Sequence, residues 1–124
     1  MENIISLPHK SYNMDSEPRF NIVLLKEAEA FLSNLDYKTK DKIINNMDLA
    51  RRSLNPILLK RLTGEVWEFR TQYNNIHYRL LAFWDKRENS NTLIIATHGF
   101  VKKVSKIPKK EIEKAEKIRN QYFN

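Results

Sequence analysis

Two arginines and one strand end carry the side chains best suited to chemistry in this sequence. Arg70 follows Glu68 in the run from Glu65 to Tyr73. That run alternates, placing Trp67, Phe69 and Tyr73 on one face and Glu68 and Arg70 on the other. Arg79 stands in the triplet Tyr78-Arg79-Leu80, inside a mostly apolar run from Ile76 to Trp84. A charge in such a place is costly unless something compensates it. Two compensations fit: a sheet-face ion pair of Arg79 or Arg70 with Glu68, or an anion held by both guanidiniums, whose fork geometry suits phosphate. The third feature is HGFVKK, residues 98 to 103, entered from the apolar run Leu93-Ile94-Ile95-Ala96. His98 is either a strand-end histidine bonded to backbone or a general acid or base, because imidazole titrates near neutrality. Lys102 and Lys103 are neighbours on a strand, so only one of them faces any given site. Lys60 and Arg61 add two cations in a segment that reads as a loop, and Lys106 extends the basic run beyond the strand end.

Other chemistries lack their residues. Gly64 and Gly99 are the only glycines, so no Gly-rich phosphate loop exists. His9, His77 and His98 show no metal-ligand spacing, the acids do not cluster for a hard cation, and the chain has no cysteine. Neither a metal nor another cofactor is expected. The missing thiols fit a reducing cytoplasm, and residues 1 to 10 show no secretory signal.

The elements that must position these residues follow from periodicity. Residues 1 to 18 read as an irregular arm, with one short strand at Ile4-Ile5. Residues 19 to 124 read as one domain. Arg19 to Leu24 resembles a strand, with β-branched and aromatic residues. Ala28, Phe31, Leu32 and Leu35 then occupy one helical face. After a break at Asp36-Tyr37, the residues Ile43, Met47, Ala50 and Leu54 repeat that spacing, and Pro56 ends the helix. The two helices form an αα-hairpin. Three strand-like runs follow, Glu65 to Tyr73, Ile76 to Trp84 and Thr92 to Val101. Asn74-Asn75 supplies the first turn and 85 to 91 a polar loop. Pro108 suits the first position of a last helix, whose apolar stripe is Ile112, Ala115, Ile118 and Tyr122. The predicted order is β-α-α-β-β-β-α: an α+β domain whose antiparallel twisted sheet packs against a helical hairpin and a C-terminal helix.

Composition narrows the partners. The chain has 124 residues, enough for one modest core, and a formal net charge of +7. From Lys102 to Arg119 it carries eight basic residues and three acids, so the excess is concentrated where an anionic partner could meet it. Lys110, Lys114 and Lys117 share one face of the last helix; they read as a solvated face singly and as a grip on RNA phosphates together. No apolar run is long enough to span a bilayer, so no membrane partner is expected.

The string LKRLTGEVWEFRTQYNNIHYRLLAF, followed by LIIATHGFVKKVSKIPKKEIEKA, resembles the phage Gp49-like, HigB-type toxins of the RelE/ParE superfamily. The matching positions are Leu62, Gly64, Trp67-Glu68-Phe69-Arg70, Tyr78-Arg79, His98-Gly99-Phe100 with Lys102-Lys103, and Pro108 with Glu111-Ile112. The resemblance implies a RelE-like fold and a type II toxin that enters the ribosomal A site and cuts mRNA without a metal. The ribose 2′-OH attacks the neighbouring phosphorus and the 5′-oxygen leaves, which requires a base, an acid and cations for the phosphorane. It also implies a helix-turn-helix antitoxin, and operator DNA bound mainly through that antitoxin. Carried over by position, Arg79 stabilises the phosphorane and Arg70 binds phosphate or holds Glu68. Lys102 or Lys103 contacts the scissile or a neighbouring phosphate, within a basic field that Lys60, Arg61 and Lys106 extend. Val66 and Glu68 stand where some relatives have lysines, so no lysine base transfers; Glu68, His98 or neither serves. Replacing Arg79 by alanine is expected to abolish toxicity and spare the fold. The competing expectation is a ParE-like inhibitor that binds DNA gyrase and catalyses nothing.

Overall fold

The computed structural model describes residues 3–4, 18–53, 55–88 and 92–124. Its elements are β1 (Asn3–Ile4), β2 (Asn21–Leu24), α1 (Lys26–Ser33), α2 (Tyr37–Ser53), β3 (Leu59–Thr63), β4 (Val66–Tyr73), β5 (Ile76–Asp85), β6 (Leu93–Lys102) and α3 (Lys109–Phe123). The α+β reading therefore holds. Apart from β1 and Pro18, the expected arm at 1–18 lies outside the described residues, as do Leu54 and residues 89–91 of the polar loop. No helix among the described residues is long and apolar enough to cross a membrane.

Two expectations need correction. The sheet is mixed: its order is β1-β2-β6-β5-β4-β3, and β2 pairs with β6 in parallel while the other neighbours are antiparallel. The helical hairpin carries the chain from β2 to the far edge, and the meander β3 to β6 then returns it beside β2 in the same direction. The segment read as a loop around Lys60-Arg61 is the edge strand β3. LKRLT lacks a run of β-branched or aromatic residues, so its strand state comes from pairing with β4 and not from its own propensity.

Most of the apolar core lies between the sheet and the helical hairpin. Phe69, Tyr78, Leu80, Ile94 and Ala96 meet Ala28, Leu32, Ile43 and Met47 there. On the opposite face, α3 covers Val66 and Leu81 through Ala115 and Ile112, and Phe83 and Ile95 through Tyr122 and Phe123. The alternation read for β4 is observed: Trp67, Phe69 and Tyr73 join the hairpin-side core. Asn74 and Asn75, at φ 52° and 62°, make the tight reversal between β4 and β5 that their side chains favour. The break between α1 and α2 contains the cap of α2, where Asp36 Oδ1 accepts from the Thr39 hydroxyl at 2.6 Å. Pro108 is the residue preceding α3, with ψ 137°, one place earlier than its expected first-turn position.

One irregularity in β6 sets the face of everything beyond it. Ala82 pairs with Ala96 but Leu81 pairs with His98, so Thr97 is an extra residue on β6. The bulge shifts the alternation by one. His98, Phe100 and Lys102 consequently lie on the face of Leu81, Arg79 and His77, towards α3. Gly99 is left facing the hairpin. A Cβ at Gly99 would run into the Phe31 ring, whose Cγ would lie at 2.6 Å, so the glycine lets α1 approach the strand. Gly99→Ala should cost about 1–3 kcal/mol through overpacking, read as a lower midpoint in urea. Adding Phe31→Leu should restore part of that loss.

Candidate active site

The face of the sheet beyond the end of α3 is polar, and strand register arranges it in rows. Lys60, Glu68, Leu81 and His98 stand abreast across β3, β4, β5 and β6. Arg70, Arg79 and Phe100 form the next row, and Gln72, His77 and Lys102 the one after. Side chains of one row point the same way because strand residues alternate.

The centre of this surface is Arg79. It is 4% exposed, and its Nε lies 3.0 Å from Oε1 of Glu68, itself 5% exposed. The Nε–H does not align with that oxygen well enough for a hydrogen bond, so the contact is an ion pair held chiefly by charge. Nη1 donates to the Tyr78 carbonyl at 3.0 Å. Burial lowers the Arg79 pKa from its ordinary value, Glu68 opposes that, and Arg70 adds to it. Arg70 sits directly opposite Arg79 in the ladder, and its buried Nε has no hydrogen-bond partner among the described residues. Two like charges facing each other across a strand pair are unfavourable. The pair therefore holds a net positive charge that one carboxylate does not neutralise.

A cleft of about 380 Å³ opens over these groups. Glu68, Arg70 and Arg79 form its floor, Lys60, Lys102 and Lys106 bring further cations, and Ile112 of α3 contributes an apolar wall. Its donor set would suit a phosphate: planar donors in the floor, ammonium groups around them and one carboxylate held against the deepest guanidinium. Of the residues singled out in the sequence, Arg70, Arg79, Glu68, Lys60, Lys102 and Lys106 come together here. Arg61 does not. Its neighbour Lys60 turns inward, whereas Arg61 Nε donates to the Gly64 carbonyl at 2.9 Å in the β3–β4 turn. Lys103 lies just past β6 and is exposed, away from the cleft lining.

His98 is also outside the lining. It is 3% exposed, with Nδ1 2.9 Å from Thr97 Oγ1 and Nε2 3.0 Å from Glu111 Oε1. The Thr97 hydroxyl also reaches the Leu81 carbonyl at 3.2 Å. Burial lowers the imidazole pKa from its ordinary value, against the opposing effect of Glu111. The position of the ring ties the bulge to the first turns of α3. Lys114 makes a second tie, reaching Glu27 of α1 at 2.6 Å, so this lysine is paired and not simply solvated. At the other end of α3, the Tyr122 hydroxyl donates to Asp85 at 2.8 Å.

Residues that the sequence reading left out are Ser105 and Ile107 in the cleft wall, and Gln72 and His77 in the third row. Gln72 and His77 lie two residues from Arg70 and Arg79 on the same strands, so period-two alternation alone would have placed them on the arginine face.

A family model described as phage-derived Gp49-like protein matches residues 30–120. No curated protein matches the chain at a significant level.

Two measurements follow from this geometry. Arg70→Gln removes the like charge facing Arg79, so stability should be unchanged or rise by up to about 1 kcal/mol, read by chemical denaturation. Burial lowers the folded-state pKa of His98, so its contribution is complete above the unfolded pKa of about 6.5 and is lost as pH falls through the lower folded value. The thermal midpoint should therefore drop from pH 7.5 to pH 5.5, and His98→Gln should flatten that slope.

Proposed function

We propose that this chain, which belongs to the phage-derived Gp49-like family of RelE/HigB-type toxins, is the toxin of a type II toxin–antitoxin system and cuts mRNA on the ribosome. The observation that carries this reading is the pairing of Arg70 and Arg79 on adjacent strands beneath a lysine-rimmed cleft. A binding surface without catalysis has little need to bury a guanidinium and leave its charged neighbour half-satisfied. An excess of fixed positive charge at low solvent exposure suits a dianionic phosphorane, which carries more charge than the phosphodiester it forms from.

In this reading the ribose 2′-OH attacks the adjacent phosphorus, and its proton leaves as the new P–O bond forms. The P–O bond to the 5′-oxygen then breaks, and that oxygen takes up a proton. Arg79 and Arg70 donate to the non-bridging oxygens, with Arg79 set in place by Glu68. Lys102 and Lys60 hold the flanking phosphates, and Lys106 adds to the field. His98 acts at a distance, by fixing the bulge that turns Lys102 into the cleft. The cognate partner is an antitoxin that neutralises this basic face, in this family's style a helix-turn-helix protein that carries the complex to operator DNA.

Arg79→Ala is a poor test, contrary to the expectation from sequence. It strands the buried carboxylate of Glu68, and breaking a buried pair costs about 3–5 kcal/mol. Arg70→Gln separates chemistry from folding. Induced expression of the wild-type protein should arrest growth, with new mRNA 5′ ends at codon positions. Arg70→Gln should lower cleavage of ribosome-bound mRNA by about 100-fold or more while the protein stays folded. Intact mRNA together with a DNA damage response would instead identify a gyrase inhibitor and overturn the proposal.

A further inference from the structure

The chain has two tryptophans, and both line one cleft. That cleft has a volume of about 510 Å³ and shares no lining residue with the arginine cleft. Trp67 comes from the start of β4, Trp84 from the end of β5, and Phe123 from the last turn of α3. Arg61, Lys86, Arg87 and Arg119 bring four cations to the same walls, against the single acid Glu65. The site lies at the end of the sheet where β3 turns into β4.

Each cation is set in place by a ring, by backbone or by a carboxylate. Lys86 Nζ lies 5.4 Å from the centre of a Trp84 ring, and the Arg119 guanidinium 5.1 Å from that of Phe123. Arg61 is anchored on the Gly64 carbonyl. Arg87 is held most firmly: Nε and Nη2 donate to Asp85 at 3.0 and 2.8 Å, and its guanidinium sits 5.0 Å from the Phe123 centre. Among the described residues no carboxylate pairs with Arg61, Lys86 or Arg119. Asp85 answers Arg87 alone, so the cleft keeps a positive excess. The indoles meet edge to face, with centres 5.6 Å apart. Both are half-buried, so part of each ring reaches solvent.

Flat rings beside cations suit a ligand that is planar at one end and anionic at the other. A base stacks on an indole or on a guanidinium plane, and phosphate oxygens accept from arginine and lysine. An acidic peptide would use the cations and leave the indoles idle. A nucleic-acid strand brings one negative charge per nucleotide, whereas four cations here share a space the size of one small ligand. The concentrated charge of a polyphosphate matches them better. We propose that this cleft binds a free nucleoside triphosphate, with its base on the tryptophan side and its phosphates among Arg61, Lys86, Arg87 and Arg119. The site is independent of the arginine cleft and of what that cleft does to RNA.

Because Trp67 and Trp84 are the only indoles, tryptophan emission reports this cleft alone. The purified chain is titrated with ATP, GTP, inorganic triphosphate and a short single-stranded RNA. ATP and GTP should quench the emission to saturation. Lys86→Gln and Arg119→Gln, each shown to be folded by circular dichroism, should raise the midpoint concentration about tenfold, the loss of one charge-assisted contact. Inorganic triphosphate has no ring; it should compete with ATP and leave the emission unaltered. Arg70→Gln should bind ATP as the wild type does. Absence of saturable quenching up to about 1 mM nucleotide would overturn the proposal. So would a midpoint moved by Arg70→Gln and not by Arg119→Gln, which would put the nucleotide in the arginine cleft. Tighter quenching by the RNA than by ATP would overturn it too, making the cleft a strand-binding surface. Cleavage of ribosome-bound mRNA is read separately, so the nuclease stands or falls on its own test.

Discussion

Burying a guanidinium inside a β-sheet is costly unless an anion is held against it, and Glu68 is that anion for Arg79. The pair is buried on both sides, so it needs a backbone that will not shift. Register supplies this: Glu68 and Arg79 sit on adjacent antiparallel strands, one row apart on the same face. β4 is flanked by β3 and β5, and the hairpin-side core beneath includes Phe69, Tyr78 and Leu80. Arg70 then adds a charge that this ion pair does not match. It places a second guanidinium opposite the first with no second carboxylate to match. The row lines a cleft that opens to solvent, which eases that excess charge. At Arg70 the like-charge pairing with Arg79 works against the stability of the sheet.

The second constraint is the bulge at Thr97. Without the extra residue, His98 and Phe100 would continue the phase of Ile94 and Ala96 and face the helical hairpin. Lys102 would turn away from the arginines. With it, His98 meets Glu111, Phe100 joins the cluster under α3, and Lys102 reaches the arginine cleft. Gly99 inherits the hairpin side, where only a residue without Cβ fits against Phe31. A single inserted residue thus accounts for the histidine, the glycine, the aromatic and one of the two lysines in HGFVKK.

The legible parts of the protein are those in which a local period meets a one-sided environment. The helices show their apolar stripes, Asn74-Asn75 shows the turn, and the alternation of β4 separates Phe69 from Glu68 and Arg70. The strand β3 was hidden because LKRLT carries little strand propensity and is shaped by its partner. The parallel pairing of β2 with β6 was hidden because no short-range pattern records which strands meet after a long connection. Lys60 and Arg61 look equivalent in the sequence. They differ in the fold because adjacent strand residues face opposite ways, and the loop reading concealed that alternation.

Residue types and spacing by themselves determined that this protein is an α+β domain with a basic end, that Arg70 and Arg79 stand on strands where their charge needs a compensating anion, and that its segments match one family of toxins. These follow from local rules: side-chain period, the cost of burying charge, and the order of motifs. Only the tertiary structure decided that Glu68 pairs with Arg79, that His98 lies outside the cleft lining between Thr97 and Glu111, and that Lys102 enters the cleft while Lys103 and Arg61 stay outside. It also decided that the end of α3 and the end of the sheet build a second cleft away from the first. Each of these depends on strand register and on which helix face meets the sheet. Both are set by contacts between residues far apart in the chain, where a one-residue shift reverses the direction of every side chain that follows.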